Sequence, residues 1–287
     1  MAMRVETPDI QTFAIPPLAL GECPVWDLAA QALYFIDIPG PRLYRLDMAT
    51  QALHHWDMPA TIGSFGLCRD GRMIVALRNG VHLFDPASAA FVLLAQPEPD
   101  RPHNRLNDGK VGPDGRFYVG SMDDRPERAQ TAALYRIGHD GGCARIVDHL
   151  RVSNGLAWSP DGRKLYHSDT RHEWVRVHDF DSSAGTLSNM RNLCSLNEAA
   201  GRPDGAAMDA EGFYWSAGVT AGCLNRIGQD GRIERKLQLP MPAPTMPCFG
   251  GPDMKTLFVT SLAKADQPGK LVALRLDVPG VAVARFG

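Results

Sequence analysis

One short pattern returns along this 287-residue chain at a nearly constant interval, and that recurrence restricts the fold more than any other feature. A tight turn such as RDGR, PDGR or AEGF stands before a short apolar run, and its marker residue or equivalent falls at Asp70, Asp114, Asp161, Glu211 and Asp253. The successive intervals are 44, 47, 50 and 42 residues. The stretch Trp26–Phe35 fits one further unit upstream, with Ala29 at the equivalent place. The runs themselves, such as Leu33–Ile38, Met73–Leu77, Phe117–Val119 and Leu257–Thr260, are short and bounded by Gly, Pro, Asp or Asn, as strands are. Long helical periodicity is absent, which excludes a helical solenoid, and a sandwich would not produce six similar units. Six units of roughly 45 residues predict an all-β, six-bladed β-propeller. No linker or low-complexity tract interrupts residues 1–287, so a single domain is expected. Ring closure is expected to bring a strand from Ile10–Leu20 into the blade that holds the C-terminus.

Composition narrows the partners. Thirty Lys and Arg against 32 Asp and Glu leave a formal charge of -2, which argues against nucleic acid as the main partner. No apolar run approaches the roughly 18 residues of a membrane span, so no membrane is expected. The start, MAMRVETPDIQ, has no basic-then-apolar signal region, and a cytoplasmic location is expected. The six cysteines form no C-x-x-C pair and are expected to be reduced and mostly buried.

Seven residues before the marker of each unit stand Glu22, Gly63, Asn107, Asn154, Asp204 and Met246. These positions are expected to open the innermost strand of each blade and so to ring one mouth of the central channel. Packing alone would tend to repeat one residue type there. Instead the ring holds two carboxylates, two amides, a Gly and a Met, an oxygen-rich set that suits a hard divalent cation. Glu22, Asn154 and Asp204 are the candidate metal ligands, and Asn107 is either a fourth ligand or a substrate contact. The alternative is that Asn-Gly and Asp-Gly are plain turn dipeptides. Oxygen donors admit one calcium, magnesium or manganese ion and, with a carboxylate-rich shell, zinc. With no Cys or His in the ring, a tetrahedral structural zinc is disfavoured.

At these residues the sequence resembles the regucalcin/gluconolactonase family of six-bladed propellers. The matching stretches are GECPVWD at 21–27, NRLNDGKVGPDGRFYVGSM at 104–122, SNGLAWSPDGRKLYHSDT at 153–170, RPDGAAMDAEGFYWSA at 202–217 and CFGGPDMKTLFVTS at 248–261. It is similar to the bacterial sugar-lactonase branch more than to the animal branch. The resemblance implies one divalent metal on Glu22, Asn154 and Asp204, substrate contacts from Arg105 and Asn107, and hydrolysis of aldonolactones. It also implies an acidic substrate contact just after Gly120–Met122; here Asp123, Asp124 and then Arg125 follow that segment, and Asp124 is taken as the candidate.

Lactone hydrolysis needs a polarised carbonyl, an activated water and a stabilised oxyanion. Asp204 is the candidate general base; its other role is that of a ligand which only orients the water. Arg105 suits sugar hydroxyls or the product carboxylate, or else forms a loop salt bridge. Asp108 is expected only to fix a turn, Asp169 to brace the site from behind, and His103 to be a solvated loop residue. Trp26 and Trp158 occupy equivalent repeat positions and are expected in blade cores. No G-x-S-x-G elbow, P-loop or H-E-x-x-H motif is present. Two alternatives stay open: other esters or phosphotriesters at the same metal, favoured by an apolar mouth near Phe65 and Met246, and a calcium-binding propeller without turnover.

Overall fold

The computed structural model describes residues 3–287. Two short strands, β1 (Arg4–Glu6) and β2 (Gln11–Thr12), precede six successive sheets. The first blade contains β3 (Gly21–Asp27), β4 (Ala32–Asp37), β5 (Arg42–Asp47) and β6 (Leu53–Asp57). The second contains β7 (Ile62–Leu67), β8 (Met73–Leu77), β9 (Gly80–Asp85) and β10 (Ala90–Ala95). The third contains β11 (Asn104–Val111), β12 (Phe117–Asp123), β13 (Ala132–Ile137) and β14 (Cys143–Leu150). The fourth contains β15 (Ser153–Trp158), β16 (Lys164–Asp169), β17 (Trp174–Asp181) and β18 (Thr186–Ser195). The fifth contains β19 (Pro203–Met208), β20 (Tyr214–Gly218), β21 (Cys223–Ile227) and β22 (Ile233–Gln238). The sixth contains β23 (Pro244–Gly250), β24 (Thr256–Ser261) and β25 (Leu271–Arg275). Each blade is an antiparallel meander, and the first strands of successive blades touch in a closed ring that includes β23 against β3. This is the six-bladed propeller that the repeat predicts.

Alternation along the strands explains the ring. In β12, Phe117 and Val119 pack toward the second blade while Tyr118 packs toward the fourth. Every blade does the same, so six apolar cores lie between six pairs of blades, the last joining Phe258 of the sixth blade to Trp26 and Phe35 of the first. Strands covered on both faces are apolar on both faces, which is why the inner runs read as nearly continuous. Trp26 and Trp158 sit in two of these cores, as expected.

The repeated turns are side-chain clamps. Asp70, Asp114, Asp161 and Asp253 each accept the backbone N–H two residues on, at 3.0 to 3.2 Å, which fixes the reversal into the next strand. In the first and fifth units, where the marker is Ala29 or Glu211, the clamp moves two residues upstream. Asp27 accepts from the Ala29 and Ala30 amides, and Asp209 accepts from Glu211 and Phe213.

Closure follows the expected route, since β2 pairs antiparallel with β25 in the sixth blade. Two features lie outside the sequence reading. Strand β1 adds a fifth, parallel strand to the outer edge of the fifth blade. Residues 279–286 form no blade strand; they strap across the far end of the channel, with Val281 N–H on Met208 O and Phe286 N–H on Leu67 O, both at 2.9 Å. All six cysteines are unpaired, and four of them are buried.

Candidate active site

The first strand of every blade breaks register once near its start: between Glu22 and Val25, Ile62 and Ser64, Leu106 and Gly109, Asn154 and Ala157, Pro203 and Ala206, and Pro244 and Met246. A bulge re-aims side chains that a regular strand would send to alternate faces. Bulges at one level accompany the candidate ring positions in all six blades, and Glu22, Asn107, Asn154 and Asp204 gather at one mouth while Gly63 offers no side chain and Met246 is buried. Cys23 (φ 46°) and Gly155 (φ 65°) adopt the left-handed conformation directly after Glu22 and Asn154. Asn154–Gly155 is thus a bulge inside a strand, not a hairpin turn.

Gly155 cannot carry a side chain without disturbing the site. A Cβ there would collide with Tyr214 Oη and Ser168 Oγ and press on the Asp204 carbonyl. Gly155→Ala is expected to cost about 1–3 kcal/mol from backbone strain alone and to shift Asp204. Denaturant unfolding checks the first effect; an unchanged midpoint would remove the strain argument.

A directional chain of hydrogen bonds runs from a cation to a carboxylate. Arg105 Nη1 donates to Asn107 Oδ1 at 2.8 Å. Asn107 Nδ2 donates to Asn154 Oδ1 at 3.0 Å and to Ser153 O at 2.9 Å. Asn154 Nδ2 donates to Asp204 Oδ1 at 2.7 Å and to Thr170 Oγ1 at 2.8 Å. The structure therefore brings Arg105, Asn107, Asn154 and Asp204 into one connected group. Asn107 lies farther along its strand than Glu22, Asn154 or Asp204 do along theirs, so it does not open the strand as expected.

Glu22 completes the mouth, its Oε2 accepting the Cys23 amide at 2.7 Å. Burial, and then the charges of Asp204 and Asp108, push its carboxyl well above the ordinary range. Asp204 is raised likewise, by burial first and by Asp108 second. Asp108 is the residue that sequence reasoning misjudged. Because the bulge places it beside Asn107 on the channel side, it does not merely fix a turn. It is 3% exposed, accepts Leu156 N–H through Oδ2 at 3.2 Å, and leaves Oδ1 buried without a partner. Three carboxylates thus oppose one another's ionisation, with Lys110 the nearby cation that eases Asp108.

Among the described residues no three His, Cys, Asp or Glu side chains are grouped to hold a metal by themselves. The candidate donors are two carboxylates and an amide, oxygen only, as a hard cation prefers. Their fit to a cation is visible in the crowding itself. Buried carboxylates that repel one another, one with an unpartnered oxygen, are only partly offset by Arg105 and Lys110, and a cation would complete that balance. Turning the Asn154 amide over would set its oxygen against Asp204, an arrangement that a shared cation, or a proton on Asp204, would stabilise.

Asp123 and Asp124 separate cleanly. Asp123 is fully buried, bound to Arg125 and to the Ala129 amide. Asp124 faces the mouth, accepting from Arg105 Nε at 3.2 Å and Arg78 Nη1 at 2.6 Å. Phe65 and Met246 do not form an apolar mouth. Phe65 lies in the core between the first two blades, and Met246 is fully buried against Gly205. His103 is exposed, as expected. Asp169, also fully buried, accepts the Arg151, Arg171 and His172 amides and so fixes the loops beside the start of β15.

Residues 20–263 match the family described as the SMP-30/gluconolactonase/LRE-like region. The chain belongs to that family. Within the SMP-30/gluconolactonase family it is 40% identical over 281 residues to the 6-deoxy-6-sulfogluconolactonase of Pseudomonas putida, covering 94% of this chain and 96% of that one. It is 37% identical over 283 residues to the regucalcin of Xenopus laevis, covering 93% and 94%. The crystal structure of regucalcin from Agrobacterium tumefaciens, a calcium-binding protein, superimposes over the whole of both chains with a TM-score of 0.94 at 25% identity.

Proposed function

We propose that this protein is a metal-dependent hydrolase that opens sugar lactones, aldono-1,4- or 1,5-lactones, to aldonic acids. The observation that carries the reading is the linked group Arg105–Asn107–Asn154–Asp204 beside Glu22 at one channel mouth, in a chain with a lactonase among its relatives. Glu22, Asn154 and Asp204 would hold one divalent ion: calcium, zinc, manganese or magnesium. When bound, that ion supplies Lewis-acid polarisation of the lactone carbonyl.

The chain's own residues do the rest. Asp204 accepts a proton from the attacking water as the new C–O bond forms, and a proton is returned to the ring oxygen as its bond to the carbonyl carbon breaks. Arg105, held by Asp124 and by Leu106 O, presents its remaining donors to sugar hydroxyls. Asn107, which donates to Asn154 Oδ1, is the second substrate contact beside Arg105. Residues 1–287 are taken as one propeller domain. The six free cysteines support a reducing, cytoplasmic setting.

The test is initial-rate acid release from a panel of aldonolactones by chelator-treated protein, with each divalent metal added back. Turnover restored by one metal supports the reading and names the metal and sugar together. Tight calcium binding with no turnover above the spontaneous rate would favour a non-catalytic calcium-binding propeller, and turnover of other esters alone would move the substrate class.

A further inference from the structure

Positive charge is in excess beside the mouth. Asp124 is approached by three guanidinium groups: Arg78 at 2.6 Å, Arg105 at 3.2 Å and Arg128 at 3.6 Å. The neighbouring carboxylate, Asp123, is already held by Arg125. A cleft of about 240 Å³ opens alongside, lined by Arg78, Gln96, Glu98, Arg101 and Arg105. Arg101 there is matched by Glu98 at 3.3 Å. Across mouth and cleft, four guanidiniums therefore face two carboxylates, Asp124 and Glu98.

Arginines stay charged at any ordinary pH, so the excess is permanent. Arg105 is buried, and that burial strains its charge; Arg78 and Arg128 add to the strain, and Asp124 relieves it. Arg78 and Arg128 are only partly covered and keep donors free for a ligand. Arg105 links this cluster directly to Asn107 and so to the candidate lactone-opening group. A ligand seated over Asp204 would extend its far end over Arg105 toward the cleft.

We propose that the lactone taken by this site carries an anionic group at the end remote from its carbonyl, a sulfonate, phosphate or carboxylate, bound by Arg78 and Arg128 above Asp124. The proposal rests on the lactonase reading for the word lactone, and on the arginine cluster for the charge. Arg78 and Arg128 are specificity residues in this view: they select the substrate and take no part in bond breaking. Planar guanidiniums suit all three oxyanions, so the experiment must separate them.

The experiment compares kcat/KM for glucono-1,5-lactone with its 6-phospho, 6-deoxy-6-sulfo and 6-carboxylate counterparts. At low salt the preferred anion is expected to exceed the neutral lactone by about tenfold or more, the value of one good charge-assisted contact. Added salt should shrink the ratio. Arg78→Gln and Arg128→Gln should each bring it toward unity, while Arg78→Lys, which keeps the charge, should retain most of it. A wild-type ratio at or below one for all three anions overturns the proposal, as does a ratio that neither Gln variant changes. In parallel, calorimetry compares gluconate with 6-phosphogluconate and 6-deoxy-6-sulfogluconate. If no lactone of any kind turns over, the lactonase reading falls. Tighter binding of an anionic aldonate, lost in Arg78→Gln and Arg128→Gln, would then still uphold the anion site, and equal binding would end it.

Discussion

Asp204→Asn is expected to lower kcat on a sugar lactone by about a thousandfold, within the range for loss of a positioned general base, and to do so at saturating divalent cation. The substitution is nearly isosteric, and the new side-chain oxygen can still accept from Asn154 Nδ2, which now lies 2.7 Å from Asp204 Oδ1. The fold should therefore survive, as judged by an unchanged near-UV circular dichroism spectrum. The two roles open to Asp204 predict different kinetics. A ligand that loses its charge weakens the cation, so excess cation restores the rate. A base that loses its proton affinity is not rescued at any cation concentration. Full recovery of kcat with added metal would reduce Asp204 to a ligand.

The propeller was legible because its cause is periodic. Each unit needs a reversal before its second strand, and an Asp clamp is a cheap way to build one, so Asp70, Asp114, Asp161 and Asp253 mark the repeat directly. Even the units without that acid keep the clamp, moved to Asp27 and Asp209, where only the structure shows it. The ring of candidate residues was legible for the same reason, because equal spacing from a turn means equal height in a channel. Asp108 was not legible. Whether it faces the channel depends on a register shift between Leu106 and Gly109, and bulges are set by backbone dihedrals and by neighbouring blades. A signal existed nonetheless: a Gly following each of Asn154 and Asp204, inside runs that otherwise read as strand. Strand β1 and the C-terminal strap left no periodic trace, since each occurs once and is held mainly by backbone hydrogen bonds.

Metal-linked stability gives the second large effect, with a sign that changes between two states of the same variant. In the metal-free protein, Glu22, Asp108 and Asp204 are gathered in a buried mouth where each opposes the others' charge. Removing one of those charges by Glu22→Gln relieves repulsion and desolvation together, so the metal-free variant is expected to be as stable as metal-free wild type, or more so. With cation present the order reverses. A ligand that binds only the folded state stabilises it by about 4 kcal/mol at a thousand times its Kd. If the variant's affinity falls about a hundredfold, as loss of a ligand charge would produce, about 2.7 kcal/mol of that is lost at the same cation concentration. Thermal unfolding of both proteins, with chelator and with a millimolar series of each divalent ion, reads the crossing directly. Parallel curves, with the variant displaced equally in both conditions, would place Glu22 outside the metal site and leave its carboxylate a merely structural burden. A crossing ties the acidic ring to the cation, independently of any substrate.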